Sequence, residues 1–386
     1  MPMIPRTLHQ RITTTLAASG KKKVLLLFGP RQVGKTTLLR TLAEERVESR
    51  LSTSCLWLNA DEPDIRALLD GASSTELQKL CAAHTLVIID EAQRVPNIGL
   101  TLKLMADTMP SVQVIATGSS AFDLAGKVQE PLTGRKREMN LYPLSFQEMA
   151  QHHGLREEKR LVEYRLLYGY YPDVVQSVGE ERDVVRSLAE SYLFKDVLAL
   201  GAIHKLDRLE KLVQALALQI GSEVSYNELG QITGMNNETV ERYITVLEQA
   251  FVVFRLRSFA RNLRNELKKS RKIYFYDLGI RNAVINNFAA VAARTDVGAI
   301  WENFLIAERT KALSYHGLDK HRYFWRTTAQ QEIDYLEERD GQLEGYEFKW
   351  NPKAKVRVPK PFLEGYPDAT VAVISRENFE DFVMLE

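Results

Sequence analysis

From about Arg6 to Asn140, short apolar runs alternate with segments whose apolar residues recur at helical spacing. Val24 to Phe28, Cys55 to Asn59, Leu86 to Asp90 and Val112 to Thr117 are almost continuously apolar. Strands covered on both faces read this way, whereas strands with one wet face alternate. The pattern predicts an α/β domain with a parallel sheet over residues 1–140. From Leu141 to Leu200 the pattern turns helical, broken at Gly169-Tyr170-Tyr171-Pro172, which predicts a helical lid or linker over 141–205. Residues 206–290 read as three helices and then two strands, Phe251 to Leu256 and Lys272 to Tyr276. The last stretch, 291–386, opens with a helix, Ala299 to Arg309. Strands Tyr323 to Arg326, Gln331 to Glu338, Leu343 to Trp350 and Thr370 to Ser375 follow it.

A chain of 386 residues exceeds one typical domain, and 45% hydrophobic residues supply more than one core. Lys+Arg 51 against Asp+Glu 50 leaves a formal charge of +1, so any nucleic-acid surface must be a local patch. Cys55 and Cys81 are too few and too far apart for a disulfide framework or a zinc site. They fit a reducing, cytoplasmic setting. The N-terminal stretch lacks the apolar run of a secretory signal, and the apolar runs are strand-sized, so no membrane span is expected.

Gly29-Pro30-Arg31-Gln32-Val33-Gly34-Lys35-Thr36 fits the phosphate-loop pattern G-x-x-x-x-G-K-[ST] in full, with Thr37 directly after it. The apolar run VLLLF precedes it and a helix-forming stretch follows. Phosphates need converging backbone N–H groups, which a glycine-rich loop at a helix N-terminus supplies together with the helix dipole. Lys35 is expected to reach the β- and γ-phosphates of ATP, and the Thr36 hydroxyl to ligate Mg²⁺. Leu86 to Asp90, followed by Glu91, is an apolar strand ending in two acids. There Asp90 would hold the Mg²⁺ shell and Glu91 would polarise the attacking water. Thr117 or Ser119, at the end of the next apolar run, would sense the γ-phosphate. Arg135, in Leu132-Thr133-Gly134-Arg135-Lys136-Arg137, is the candidate cationic finger, acting in cis or from a neighbouring subunit.

GPRQVGKTT, LVIIDEAQRVP, VIATGSSAFDL, LTGRKRE and LYPLSFQEM occur in this order. Together they resemble the AAA-type ATPase domain of a large prokaryotic group that carries a C-terminal domain of unknown function with a nuclease-like core. The resemblance extends through GYYPDVV and YLFKDVL to IWENFL and EFKW, and so covers most of the chain. It implies a P-loop ATPase, with rings or other homo-oligomers as the assembly to look for, and leaves the physiological role open.

Ser225 with Glu228 has capping-box spacing, Gly234 breaks the helix it opens, and Asn236 or Asn237 caps the next. With two strands behind it, this pattern predicts a winged helix whose loop carries Arg261, Arg264, Lys268, Lys269 and Arg271. The module would either bind DNA or serve as a lid or protein contact. Glu238, Glu241 and Glu248 on its second helix suit a polyanion poorly. In the last module, Glu302 on the helix, Asp334 on one strand, and Glu347 with Lys349 on the next resemble a PD-(D/E)XK nuclease core. There the carboxylates would hold Mg²⁺ or Mn²⁺ and Lys349 would steady the attacking water. Lys353, Lys355, Arg357 and Lys360 lie just downstream and offer a nucleic-acid backbone a basic edge. Three readings follow. They are an ATPase driving a nuclease-like module on DNA or RNA, an ATP-dependent switch that binds protein or nucleic-acid partners without cleavage, and a winged-helix regulator with ATP as its signal.

Overall fold

The computed structural model describes residues 4–18, 23–48, 54–119, 131–191, 205–260 and 271–385. These form two compact units. One runs from Pro5 to Tyr142 and adds Gln249–Phe251; the other comprises Pro143–Glu248, Val252–Glu386 and the N-terminal Met1–Ile4.

The first unit is built on a wholly parallel five-stranded sheet in the order β2-β3-β4-β1-β5. Its strands are β1 (Val24–Phe28), β2 (Cys55–Asn59), β3 (Leu86–Asp90), β4 (Gln113–Gly118) and β5 (Lys136–Asn140). β1, β3 and β4 are buried along their whole length, which is why they read as unbroken apolar runs. β5 is an edge strand, KREMN, in which only Met139 is fully buried. It carries no apolar run, and the sequence pattern reads it as a basic turn. Parallel strands bring the carboxyl ends of β1, β3 and β4 to one edge of the sheet, where ligands collect in such folds. The helix Thr7–Ala17 covers the core through Leu8, Ile12 and Leu16, spaced at i, i+4 and i+8.

The second unit holds a seven-stranded mixed sheet in the order β12-β11-β10-β9-β7-β8-β6. The strands are β6 (Glu223–Val224), β7 (Val253–Ser258), β8 (Arg271–Phe275), β9 (His321–Arg326), β10 (Glu332–Arg339), β11 (Gln342–Phe348) and β12 (Thr370–Ile374). β7 pairs with β9 in parallel through Arg257 with Tyr323 and Ser258 with Phe324. The pattern change near residue 290 therefore does not divide two sheets, because the strands before and after it share one. The helix Val297–His316 docks on this sheet through Asn303, which accepts from the Phe275 N–H and donates to the Phe275 carbonyl, both at 2.8 Å.

Ahead of β7 the order is helix Leu206–Leu218, β6, helix Tyr226–Thr233 and helix Asn237–Gln249. Ser225 caps the second of these by accepting from Glu228 N–H at 3.4 Å. The Glu228 carboxylate accepts instead from Gln219 Nε2 at 3.1 Å, so the box is half formed. Asn236 caps the next helix, accepting from Thr239 N–H at 2.9 Å. Arg261, Arg264, Lys268 and Lys269 lie outside the described residues. Arg271 opens β8, pairs with Glu241 at 3.3 Å and stacks over the Tyr226 ring. Glu248 is held by Arg255. Two of the three acids on the helix Asn237–Gln249 are thus answered by basic residues of their own module. Among the described residues no helix is long and apolar enough to cross a membrane.

Candidate active site

β1 delivers the chain into the phosphate loop. A Cβ on Gly29 would lie 2.1 Å from the carbonyl oxygen of Leu141, whose N–H donates to Phe28 O at 2.7 Å, so only glycine fits there. Gln32 and Gly34 adopt positive φ of 62° and 90° and turn the loop into the helix Lys35–Glu48. Pro30 and Val33 are buried under the loop, whereas Arg31, Gln32 and Thr37 are exposed. Lys35 is 6% exposed, and its ammonium donates to the carbonyls of Gly29 at 2.7 Å and Pro30 at 2.8 Å. Arg6 ties the loop from outside, donating to Val33 O and, at 2.6 Å, to Tyr142 O. The sequence pattern gives no sign of this role, since an arginine before an amphipathic helix ordinarily faces water.

The acids at the end of β3 meet this loop. Asp90 accepts from the Thr36 hydroxyl at 2.9 Å through Oδ2 and from the Thr117 hydroxyl at 2.5 Å through Oδ1. Thr117 in turn accepts from the Glu91 N–H at 2.9 Å. Thr36, Asp90, Glu91 and Thr117 are therefore one connected group. Thr117 is fully buried and committed to the two acids, so of the two sensor candidates Ser119 is the one with an accessible hydroxyl position. Glu91 sits at φ 52°, an uncommon conformation for a glutamate and a strain typical of functional positions. Gln93 holds its carboxylate, donating to Oε2 at 2.5 Å and to the Ser119 hydroxyl at 3.1 Å. No sequence pattern marks Gln93, because its role depends on the 3₁₀ turn Ala92–Arg94 that follows β3.

Arg135 is not brought to this group. Its carbonyl accepts from Val24 N–H at 2.9 Å, which places it at the amino end of β1, while the phosphate loop leaves the carboxyl end. Five residues of strand separate the two ends by about 15 Å. Its guanidinium pairs with Asp107 at 2.6 Å. A cis finger at Arg135 is therefore corrected: parallel pairing of β5 with β1 puts it on the wrong edge of the sheet.

In the second unit, Asp334, Glu347 and Lys349 do come together. Lys349 Nζ lies 3.0 Å from Glu347 Oε2 and 3.5 Å from Asp334 Oδ2, and Asp334 also accepts the Phe348 N–H at 2.8 Å. Glu302 accepts from Lys272 at 3.0 Å and from the Tyr274 hydroxyl at 2.5 Å. Burial pushes Glu302 up to about 7, against the pull of Lys272 and with the push of Asp334. Burial, then Asp334, pushes Glu347 up to about 7 as well. Yet among the described residues no three His, Cys, Asp or Glu side chains converge to hold a metal ion. Glu302, Asp334 and Glu347, the expected ligands, are therefore not gathered as a cage in this geometry. Each of these carboxylates has a lysine ammonium against it: Lys272 on Glu302, and Lys349, the lysine of the expected pattern, on Asp334 and Glu347.

Three family models match the chain in sequence: an AAA domain over residues 21–150, a domain of unknown function (DUF8612) over 159–291 and another (DUF4143) over 297–382. The first covers β1, the phosphate loop and the acids of β3. Residues 21–150 have the fold of an AAA-type P-loop domain. An uncharacterized protein of Mycobacterium tuberculosis is 29% identical over 331 residues, covering 84% of this chain and 70% of its own. One of Methanocaldococcus jannaschii is 26% identical over 322 residues, covering 73% and 67%. A replication initiator DnaA bound to AMPPCP and single-stranded DNA covers 64% of this chain and 90% of its own, at 14% identity and TM-score 0.31. Cdc6p from Pyrobaculum aerophilum covers 74% and 94%, at 12% identity and TM-score 0.33. Likenesses this low bear on neither mechanism nor partners.

The AAA-type domain fits Mg²⁺–ATP on its own geometry. Lys35 is poised over the loop mouth, its ammonium satisfied by carbonyls it can exchange for phosphate oxygens. Thr36 and Asp90 present a hydroxyl and a carboxylate oxygen 2.9 Å apart, the hard oxygen donors that Mg²⁺ takes. Mg²⁺–ATP supplies a γ-phosphoryl group whose transfer needs positioning and charge stabilisation rather than covalent help.

Proposed function

We propose that the protein is a Mg²⁺-dependent ATPase whose turnover drives or switches a nucleic-acid-related activity of the second unit. The observation that carries the reading is the Asp90 carboxylate, which joins the Thr36 hydroxyl of the phosphate loop to Thr117 and, through it, to Glu91. Lys35 grips the phosphates, Thr36 and Asp90 organise the metal shell, and Glu91 orients the attacking water. The test is steady-state ATP hydrolysis and nucleotide binding by Lys35→Ala and Glu91→Gln chains. Lys35→Ala is expected to lose binding or turnover, and Glu91→Gln to bind ATP yet barely hydrolyse it. Hydrolysis by Glu91→Gln at the unaltered rate would remove Glu91 from the water-positioning role.

The nucleic-acid side of the proposal is supported by a cleft of about 480 Å³ in the second unit. Lys349, Lys355, Arg357 and Lys360 line it, four cations against the two carboxylates Glu332 and Glu347. Phosphate backbones are held by such local positive charge. Between cutting and holding, the ammonium groups seated on Glu302, Asp334 and Glu347 favour holding. The chain is to be incubated with plasmid, single-stranded DNA and RNA, plus Mg²⁺ or Mn²⁺, with and without ATP. Retention without cleavage supports a binding switch; cleavage lost in Asp334→Ala establishes a nuclease.

A further inference from the structure

The carboxylate cluster of the second unit contains its own cation. Lys272 is 2% exposed, yet its ammonium lies 3.0 Å from Glu302 Oε1, is paired with Glu332, and sits 5.4 Å over the Phe324 ring. A buried ammonium persists only where charge and hydrogen bonds answer it, and removing its partners leaves a heavy penalty. Here two carboxylates answer it, and the Tyr274 hydroxyl completes the shell of Glu302. Arg326 reaches Glu332 at 3.5 Å from the other side. Lys349 is shared by Asp334 and Glu347. Four acids, Glu302, Glu332, Asp334 and Glu347, are thus interleaved with three cations, Lys272, Lys349 and Arg326. Mg²⁺ demands a near-ideal octahedron of oxygens at about 2.0–2.1 Å. Two further positive charges beside a buried ammonium would meet repulsion in a medium that screens it poorly.

We propose that Lys272, set between Glu302 and Glu332, is a built-in counter-cation that takes the place of a divalent ion in the acid cluster beside the D…E-x-K residues. The second unit then holds no Mg²⁺ or Mn²⁺ of its own. Its cluster fastens the helix Val297–His316, through Glu302, to β8, through Lys272, and to β10, through Glu332. The inference concerns the second unit alone and stands or falls independently of ATP hydrolysis.

The test counts Mn²⁺ on the full chain by the loss of the free-ion electron paramagnetic resonance signal. It is run at millimolar Mn²⁺ without nucleotide. A Thr36→Ala, Asp90→Asn double variant removes the contribution of the phosphate loop. That chain is expected to hold no Mn²⁺, and Lys272→Ala added to it is expected to gain one ion, lost again on adding Asp334→Asn. A Mn²⁺ retained by the double variant and lost with Glu302→Gln or Asp334→Asn overturns the proposal. So does a folded Lys272→Ala chain that gains no ion. Lys272→Met is the second variant where the alanine chain does not fold, and where neither folds the double-variant count decides.

Discussion

The side-chain amide of Gln93 donates to the Glu91 carboxylate across 2.5 Å and to the Ser119 hydroxyl across 3.1 Å. Glu91 hangs from a left-handed residue at the end of β3, with its N–H on Thr117. Its backbone is fixed from one side and its carboxylate from the other. Gln93 is thus a positioning residue for the group that orients water. Misplacing a reacting group by about 1 Å costs on the order of 10²-fold in rate. Gln93→Ala is expected to lower kcat by about 10- to 100-fold with little change in KM for ATP, read by steady-state hydrolysis. A rise in kcat would show that the amide restrains Glu91 rather than aims it.

Arg135 gives the opposite expectation from an arginine finger. It lies at the amino edge of the sheet, about 15 Å of strand from the phosphate loop, and is spent on Asp107. Arg135→Ala is expected to leave ATP turnover within twofold at protein concentrations where light scattering shows single chains. The exposed ion pair adds about 1 kcal/mol or less to stability. A drop in turnover that appears only as chains associate would instead assign Arg135 to a neighbouring subunit's site.

What the sequence disclosed and what it hid separate along physical lines. The phosphate loop and the acids of β3 were legible because their chemistry is contiguous: strand, loop and helix follow each other within a few residues, and burial on both faces writes β1 and β3 as apolar runs. The cis placement of Arg135 was not legible because β5 is an edge strand with one fully buried residue, which leaves no apolar signature to distinguish it from a basic turn. The joining of β7 to β9 escaped because the pairing spans more than sixty positions of chain and leaves no local mark. In the sequence Lys272 shows only as the start of a strand. Its burial among Glu302 and Glu332 exists once the helix Val297–His316 packs on β8, so no spacing in the chain announces it.

Glu337 is fully buried, and Arg309 approaches it bidentately, Nε to Oε1 at 2.6 Å and Nη2 to Oε2 at 2.9 Å. Lys320 adds a third contact at 2.8 Å. Arg309 also donates to Phe382 O at 2.8 Å, which ties the helix Val297–His316 to the C-terminal turn. Removing one partner of a buried pair leaves the other charge unanswered, at a cost of about 3–5 kcal/mol. Glu337→Ala is expected to lower the urea stability of the chain by that amount. A double Glu337→Leu, Arg309→Met chain should recover much of the loss, since well-packed apolar replacements of buried pairs are often neutral. A loss under 1 kcal/mol in the single variant would show that water reaches the pair.

Asp296 carries the clearest acid dependence. Burial raises its pKa, but hydrogen bonds from Arg294 and then Arg281 outweigh that and hold it at about 2, below the ordinary 3.8. Burial lowers Arg281's own pKa, yet a guanidinium stays charged throughout the acid range. A carboxylate whose folded pKa is depressed adds stability that is complete above its unfolded pKa and is lost as pH falls through the folded one. The contribution is therefore intact above about pH 5 and disappears toward pH 2, and solvent screening of this partly exposed carboxylate holds it to roughly 1 kcal/mol. Urea unfolding of the unaltered chain and of Asp296→Asn between pH 7 and pH 2.5 isolates it from other titrating groups. The stability difference between the two is expected to hold constant down to about pH 5 and to narrow below it. A difference that stays unchanged through pH 3 would mean that Arg281 and Arg294 do not hold the Asp296 charge in the folded chain.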